Sequence, residues 1–315
     1  VSCQEAIMKA SKEQGVDLRI AIVKGDDLTK EKVLLEKGNF KEIETKKNIP
    51  KNLLSVNAYL GASGITKALE EEADIIVTGR SVDSALTLAP LIYEFGWTFS
   101  DYDLLASGSL AGHIIECGAH ATGGNFTDWE LISGFHDMGF PIVEVSSNGE
   151  FIVTKPEETG GLVSKGSVSE QFLYEIGDPG AYILPDVICD FRNVEITEIG
   201  KDRVLVKGAK GSPPTSFYKV SATYFDDYRL SAAIVLGGHN AVKKAQIASE
   251  SIYEKTRNIF KEKKWADYTE ATSTTLGTES IYGDQGESNF RLQAREVVLR
   301  LIATHKSREA LSLLQ

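Results

Sequence analysis

The chain has 315 residues, 42% apolar and 25% charged, which is the balance of an ordinary globular protein and excludes a disordered or fibrous one. Its 34 basic and 45 acidic residues give a net charge of −11, with both signs interspersed, so neither nucleic acid nor an anionic membrane is an expected partner. A chain of this length exceeds what one hydrophobic core usually sustains, and two domains or one elaborated domain are expected.

The chain opens inside a helical pattern, with Cys3, Ile7, Met8 and Ala10 recurring before Gly15 as a stop, as if a preceding strand were missing. Three strand, loop and helix units follow. Leu18 to Val23 runs into Gly25-Asp26-Asp27 and a helix over about 29–37, and Leu53 to Val56 runs into Asn57, Gly61-Ala-Ser-Gly64 and a helix over 65–72. Asp74 to Thr78 runs into Gly79-Arg80-Ser81 and a helix from about Asp83. This alternation predicts a parallel sheet flanked by helices.

Past Gly139 the texture changes. Short runs at 141–145, 151–154, 194–199, 204–206, 217–225 and 230–236 alternate with turn residues, and helices are expected at 167–176 and 240–263. The expected fold class is therefore α/β, a parallel sheet flanked by helices followed by a mixed α+β region with a largely antiparallel sheet. The expected domains are 1–142 and 143–315, the boundary lying between Gly139 and Glu150.

Cys3, Cys117 and Cys189 are widely spaced and odd in number, which suits a reducing compartment. No apolar run approaches a membrane span and the first residues resemble no signal or transit peptide, so the cytoplasm is the expected location.

Ligands of open parallel sheets bind outside the carboxyl ends of the strands, where loop amides and helix N-termini converge. That rule selects Asn57, Arg80, Ser81 and Asp83, together with Asp26, Asp27, Gly61 and Ser84. Asp27, Asp83 and Ser84 read equally as helix caps. Arg80, directly after a buried strand, suits a bidentate grip on a carboxylate or phosphate. Gly61-Ala-Ser-Gly64 lacks the GxGxxG spacing of a dinucleotide loop, and no P-loop lysine is present.

The densest chemistry lies in residues 107–129, where His113, Glu116, Cys117 and His120 follow helical spacing. Three readings stay open: a metal site, a buried structural cysteine and histidine, and acid and base catalysis by His113 and Glu116. The glycines at 118, 123 and 124 predict that the helix stops near Cys117, turning His120 away, and no metal is expected. Gly123, Gly124 and Asn125 form a candidate backbone cradle, and Lys155, before Gly160-Gly161, a candidate cation for an anionic group. Serine-hydrolase and zincin motifs are lacking, and Cys117 is disfavoured as a nucleophile because it and His113 share one element.

Several strings resemble the acyclic terpene utilisation (AtuA-type) family: GRSVDSA from Gly79, EFGW from Glu94, Gly112-His113 with Glu116-Cys117-Gly118-Ala119, and ATGGNF from Ala121. So do Thr154-Lys155-Pro156 with Gly160-Gly161-Leu162-Val163, YEIGDP from Tyr174, and KVSAT from Lys219, a likeness running from about Val16 to Tyr282. The resemblance implies breakdown of citronellol-like and geraniol-like acids through branched acyl-CoA intermediates. It also implies a longer protein, of which this chain is a fragment, and a glutamine in many members at the position of His120. The expected function is an enzyme of branched-chain acid or acyl-CoA catabolism with hydratase or lyase chemistry. The alternative is a non-catalytic subunit that binds an acyl-CoA or a partner enzyme. No cofactor is expected, and CoA enters only as part of the substrate. The expected partner is a small carboxylate or acyl-CoA, with a homo-oligomer or a partner subunit left open.

Overall fold

A computed structural model describes residues 2–38, 40–283 and 293–314. The chain forms two compact units, Val1–Tyr224 and Phe225–Gln315, and the change of texture near residue 140 falls inside the first. Both are mixed α/β. No helix among the described residues is long and apolar enough to cross a membrane.

In the first unit, helix α1 (Ser2–Glu13) is followed by Gly15 at φ +68°, a left-handed position that suits glycine. Strand β1 (Ile20–Val23) pairs in parallel with β3 (Ile75–Thr78), in the register Ile20 to Ile75 through Val23 to Thr78. The middle strand of the expected parallel trio, β2 (Leu53–Ala58), pairs instead antiparallel with β11 (Val220–Tyr224). Its continuation rejoins the others, since Leu60 bridges Ser81 in parallel. Helices α2 (Lys32–Lys37), α3 (Ser63–Glu70) and α4 (Ala85–Phe95) follow the three strands in turn. Gly96 at φ +64° closes α4.

Helix α5 (Tyr102–Glu116) is buried along most of its length because its residues are small or apolar on every side. Gly108 and Gly112 let it approach α4 closely, and a Cβ on Gly112 would stand 2.8 Å from both Cα and the carbonyl oxygen of Ser84. The predicted antiparallel sheet has the order β4 (Ile142–Val145), β5 (Phe151–Thr154), β9 (Arg203–Lys207), β8 (Glu195–Gly200). Alternate residues Phe151, Val153, Val204 and Val206 join Leu88, Leu105, Leu110 and Ile114 in one core. A smaller sheet joins β6 (Tyr182–Ile183), β7 (Ile188–Asp190) and β10 (Lys210–Ser212). Helix α6 (Lys165–Leu173) begins with a reciprocal capping box, in which Ser164 Oγ accepts from the Ser167 N–H and Ser167 Oγ accepts from the Ser164 N–H.

In the second unit, the sheet β12 (Tyr228–Gly237), β14 (Glu296–His305), β13 (Glu270–Leu276) is antiparallel. Helix α7 (Ala241–Lys263) packs on it through Val242, Ala245, Tyr253 and Phe260 against Leu299 and Leu301, and helix α8 (Arg308–Leu311) adds Leu311. The buried His305 is satisfied at both ring nitrogens, by the Ala266 carbonyl and the Ser307 N–H.

Candidate functional site

The carboxyl ends of β1 and β3, with the end of β2 beside them, form a cleft of about 470 Å³. Asn57, Arg80, Ser81 and Asp83 all line it, with Asp26 and Leu86. Asp26 organises the floor: its Oδ2 accepts from Asn57 Nδ2 at 3.0 Å and from the Arg80 backbone N–H at 2.8 Å. Gly79 is bare for the same reason, because a Cβ there would fall 1.9 Å from Asp26 Oδ1. Asp27 turns the other way, and its carboxyl is held below the ordinary range by hydrogen bonds from Thr29. The Arg80 guanidinium has no ion-pair partner among the described residues and lies 5.4 Å from the Tyr59 ring centre.

The Gly61-Ala-Ser-Gly64 loop is filled from within. A Cβ on Gly61 would stand 2.4 Å from the Asp186 carboxylate, which accepts from the Ala62 N–H at 2.9 Å. Burial pushes the Asp186 carboxyl above its ordinary range, and that hydrogen bond opposes the shift. The loop therefore holds a side chain where a dinucleotide loop holds a phosphate.

Helix α5 stops at Glu116, and Gly118–Thr122 tightens into a 3₁₀ turn. His120 is carried in that turn and packs edge-on against Tyr174, with ring centres 5.1 Å apart. Among the described residues no cluster of histidine, cysteine and carboxylate side chains is arranged to hold a metal.

His113, only 1% exposed, places Nδ1 3.1 Å from Glu116 Oε1, and Glu116 is largely shielded as well. The pairing follows from helical spacing, since residues three apart share a face. A carboxylate accepts, so it selects the tautomer with the proton on Nδ1 and leaves a lone pair on Nε2. Nε2 is buried and has no hydrogen-bond partner among the described residues. Two neighbours that sequence reasoning missed complete the setting. The fully buried Gln171 donates from Nε2 to the His113 carbonyl at 2.7 Å, and the Tyr182 ring lies 6.1 Å from the imidazole. Burial and then the Glu116 carboxylate push the Tyr182 phenol up to about 12.

Partial burial also raises the Cys117 thiol; Gln171 opposes the shift, and the carboxylates of Glu116, Glu175 and Asp83 add to it. An uncharged thiol is a poor nucleophile. Asp83, at the cleft, adjoins Ser84, and Ser84 packs against Gly112, one turn before the Glu116 end of α5. The Gly112 to Ser84 approach is the mechanical link between them.

The remaining expected residues serve their own surroundings. The Gly123 and Gly124 amides donate to the carbonyls of His120 and Ala119, at 3.0 and 2.7 Å, so neither is free to cradle an anion. Their bareness accommodates Ile132 Cδ1 and the Ala119 carbonyl. Asn125 is exposed just beyond them. Lys155 is buried and donates to the Thr159 carbonyl at 2.8 Å, with Asp202 at 3.9 Å. It closes its own loop, which is tied to the 3₁₀ turn by the Leu162 N–H to the Thr122 carbonyl. Asn57, Arg80, Ser81 and Asp83 are thus brought together, and His113 with Glu116, whereas Lys155 and the paired glycines are engaged elsewhere.

No curated protein and no solved structure matches the chain. A family model described as "Acyclic terpene utilisation family protein AtuA" matches residues 1–315. With the whole chain covered, the protein belongs to the acyclic terpene utilisation family.

Proposed function

We propose that this protein is an enzyme of branched-chain acid or acyl-CoA breakdown within acyclic terpene utilisation, with hydratase or lyase chemistry. One observation carries the reading: a buried imidazole whose Nδ1 is paired with a carboxylate while Nε2 has no partner among the described residues. That is the arrangement of a general base held in one tautomer. In this reading Nε2 of His113 takes the proton α to the substrate's carbonyl in elimination and, as the imidazolium, returns it to the β-hydroxyl, which departs as water; in hydration it takes a proton of the attacking water and returns it to the α carbon. Glu116 stabilises the imidazolium that results. Arg80 holds the anionic end of the substrate in the cleft, with Asn57, Ser81 and Asp83 arranging the groups beside it. Because Nε2 is closed off from solvent, the reading includes a movement that opens a path to it.

The same closure favours the second reading, a non-catalytic subunit that binds an acyl-CoA or a partner enzyme at the cleft. Turnover of branched enoyl-CoA thioesters, followed by loss of the conjugated ultraviolet absorbance, separates the two. His113→Gln preserves much of the volume, and a rate lower by about a hundredfold or more supports catalysis. Undiminished turnover in His113→Gln refutes it. Ligand binding without turnover, lost in Arg80→Ala, supports the binding subunit.

A further inference from the structure

The end of β2 carries a second arrangement that the acid and base reading does not use. The Tyr59 N–H donates to the Lys219 carbonyl at 3.0 Å, and the Leu60 N–H donates to the Arg80 carbonyl at 3.1 Å. The β2 and β11 register, Val220 opposite Ala58, sets Lys219 opposite Tyr59. The parallel bridge of Leu60 with Ser81 sets Arg80 level with Tyr59 on the other side. Lys219, Tyr59 and Arg80 therefore form one row across three neighbouring segments, with their side chains on the same face. The side chains bear this out: Lys219 Nζ and the Arg80 guanidinium carbon each lie 5.4 Å from the Tyr59 ring centre.

Neither cation has an ion-pair partner among the described residues, although the chain as a whole carries a charge of −11. Asp26 engages Arg80 through its backbone N–H and leaves the guanidinium free. An aromatic ring attracts cations but cancels no charge. Two cations without an ion-pair partner among the described residues, whose backbones are spaced roughly 10 Å apart by two strand separations, match a doubly charged anion better than a single carboxylate.

We propose that Lys219, Tyr59 and Arg80 form a clip at the edge of the cleft for a phosphate-type dianion, either a diphosphate or a phosphate monoester. The proposal rests on the reading of the cleft as the substrate site. It assigns to Lys219 and Tyr59 a part in binding the substrate's charged end. Arg80 supplies a planar fork, Lys219 a mobile point charge, and Tyr59 fixes the distance between them.

Isothermal titration of the full chain with pyrophosphate, adenosine monophosphate and acetate tests it. Pyrophosphate or the monophosphate should bind more tightly than acetate, and whichever of the two binds more tightly identifies the phosphate source. Lys219→Gln and Arg80→Gln should each weaken that binding by about tenfold or more. Lys219 is exposed, so the substitution leaves the fold in place, and an unchanged thermal midpoint verifies this. Tyr59→Leu should weaken binding while leaving both charges present. Absence of phosphate binding in the unmodified chain, equal binding of acetate, or unchanged affinity in Lys219→Gln would each overturn the clip. His113→Gln should leave this binding intact, so failure of the clip and failure of the catalytic reading are distinguishable.

Discussion

Gly112→Ala is the sharpest test of how α5 is positioned against the cleft. Helix propensity alone predicts stabilisation, by up to about 1 kcal/mol, because alanine loses less backbone entropy in a helix than glycine. Packing predicts the opposite. The added Cβ would stand 2.8 Å from Cα and the carbonyl oxygen of Ser84, which are main-chain atoms unable to rotate aside. Against rigid main-chain atoms the added methyl group falls in the upper part of the usual overpacking range, about 2–3 kcal/mol, so the net expectation is a loss of about 1–2 kcal/mol. Gly108→Ala, on the same helix, is the control. Its nearest atoms are the ends of the Leu88, Trp97 and Leu91 side chains, which can shift, and its loss should be smaller. Urea titration followed by circular dichroism measures both, about 1.4 kcal/mol corresponding to a tenfold change in the unfolding constant. Because Ser84 adjoins Asp83 at the cleft, Gly112→Ala should also weaken anion binding there. A Gly112→Ala protein as stable as the parent, or more so, would refute the close approach of α4 and α5.

Two further predictions concern stability. The Tyr182 phenol keeps its proton in the folded protein up to about 12, whereas an unfolded tyrosine ionises near about 10. The stability linked to that proton is complete below about pH 10 and lost as pH rises through about 12. After discounting for partial exposure it amounts to about 1–2 kcal/mol, and Tyr182→Phe should lose that much less between pH 9 and pH 12 in urea titrations. Ser164→Ala removes the acceptor for the Ser167 N–H at the start of α6 and should cost about 1 kcal/mol, read as a lower urea midpoint.

The cleft was legible because the rule behind it is local: where a parallel strand ends, its next few residues face the ligand side, and Arg80, Ser81 and Asp83 directly follow β3. The short antiparallel runs were legible from alternation, as at Phe151 and Val153. Partners far along the chain were not. β2 has the pattern of a third parallel strand, and only its pairing with residues 220–224 reveals otherwise. The row of Lys219, Tyr59 and Arg80 was hidden for the same reason. A sequence also shows which groups exist but not which are already engaged. The Lys155 ammonium and the Gly123 and Gly124 amides had the right chemistry for an anion, yet Thr159, His120 and Ala119 use them first. Gln171 carried no signal, since an isolated glutamine in a helix pattern normally faces solvent.

The Asp186 carboxylate beneath Gly61 bears on how this fold meets soluble anions. Being tethered to the chain, it occupies the Ala62 amide at an effective concentration of roughly millimolar or higher, whatever the composition of the medium. A free phosphate would have to displace that resident competitor and leave a shielded carboxyl group without its hydrogen bond. The amide is thus preoccupied, and selectivity between two neighbouring anion-friendly places passes by exclusion to the open row of Lys219, Tyr59 and Arg80.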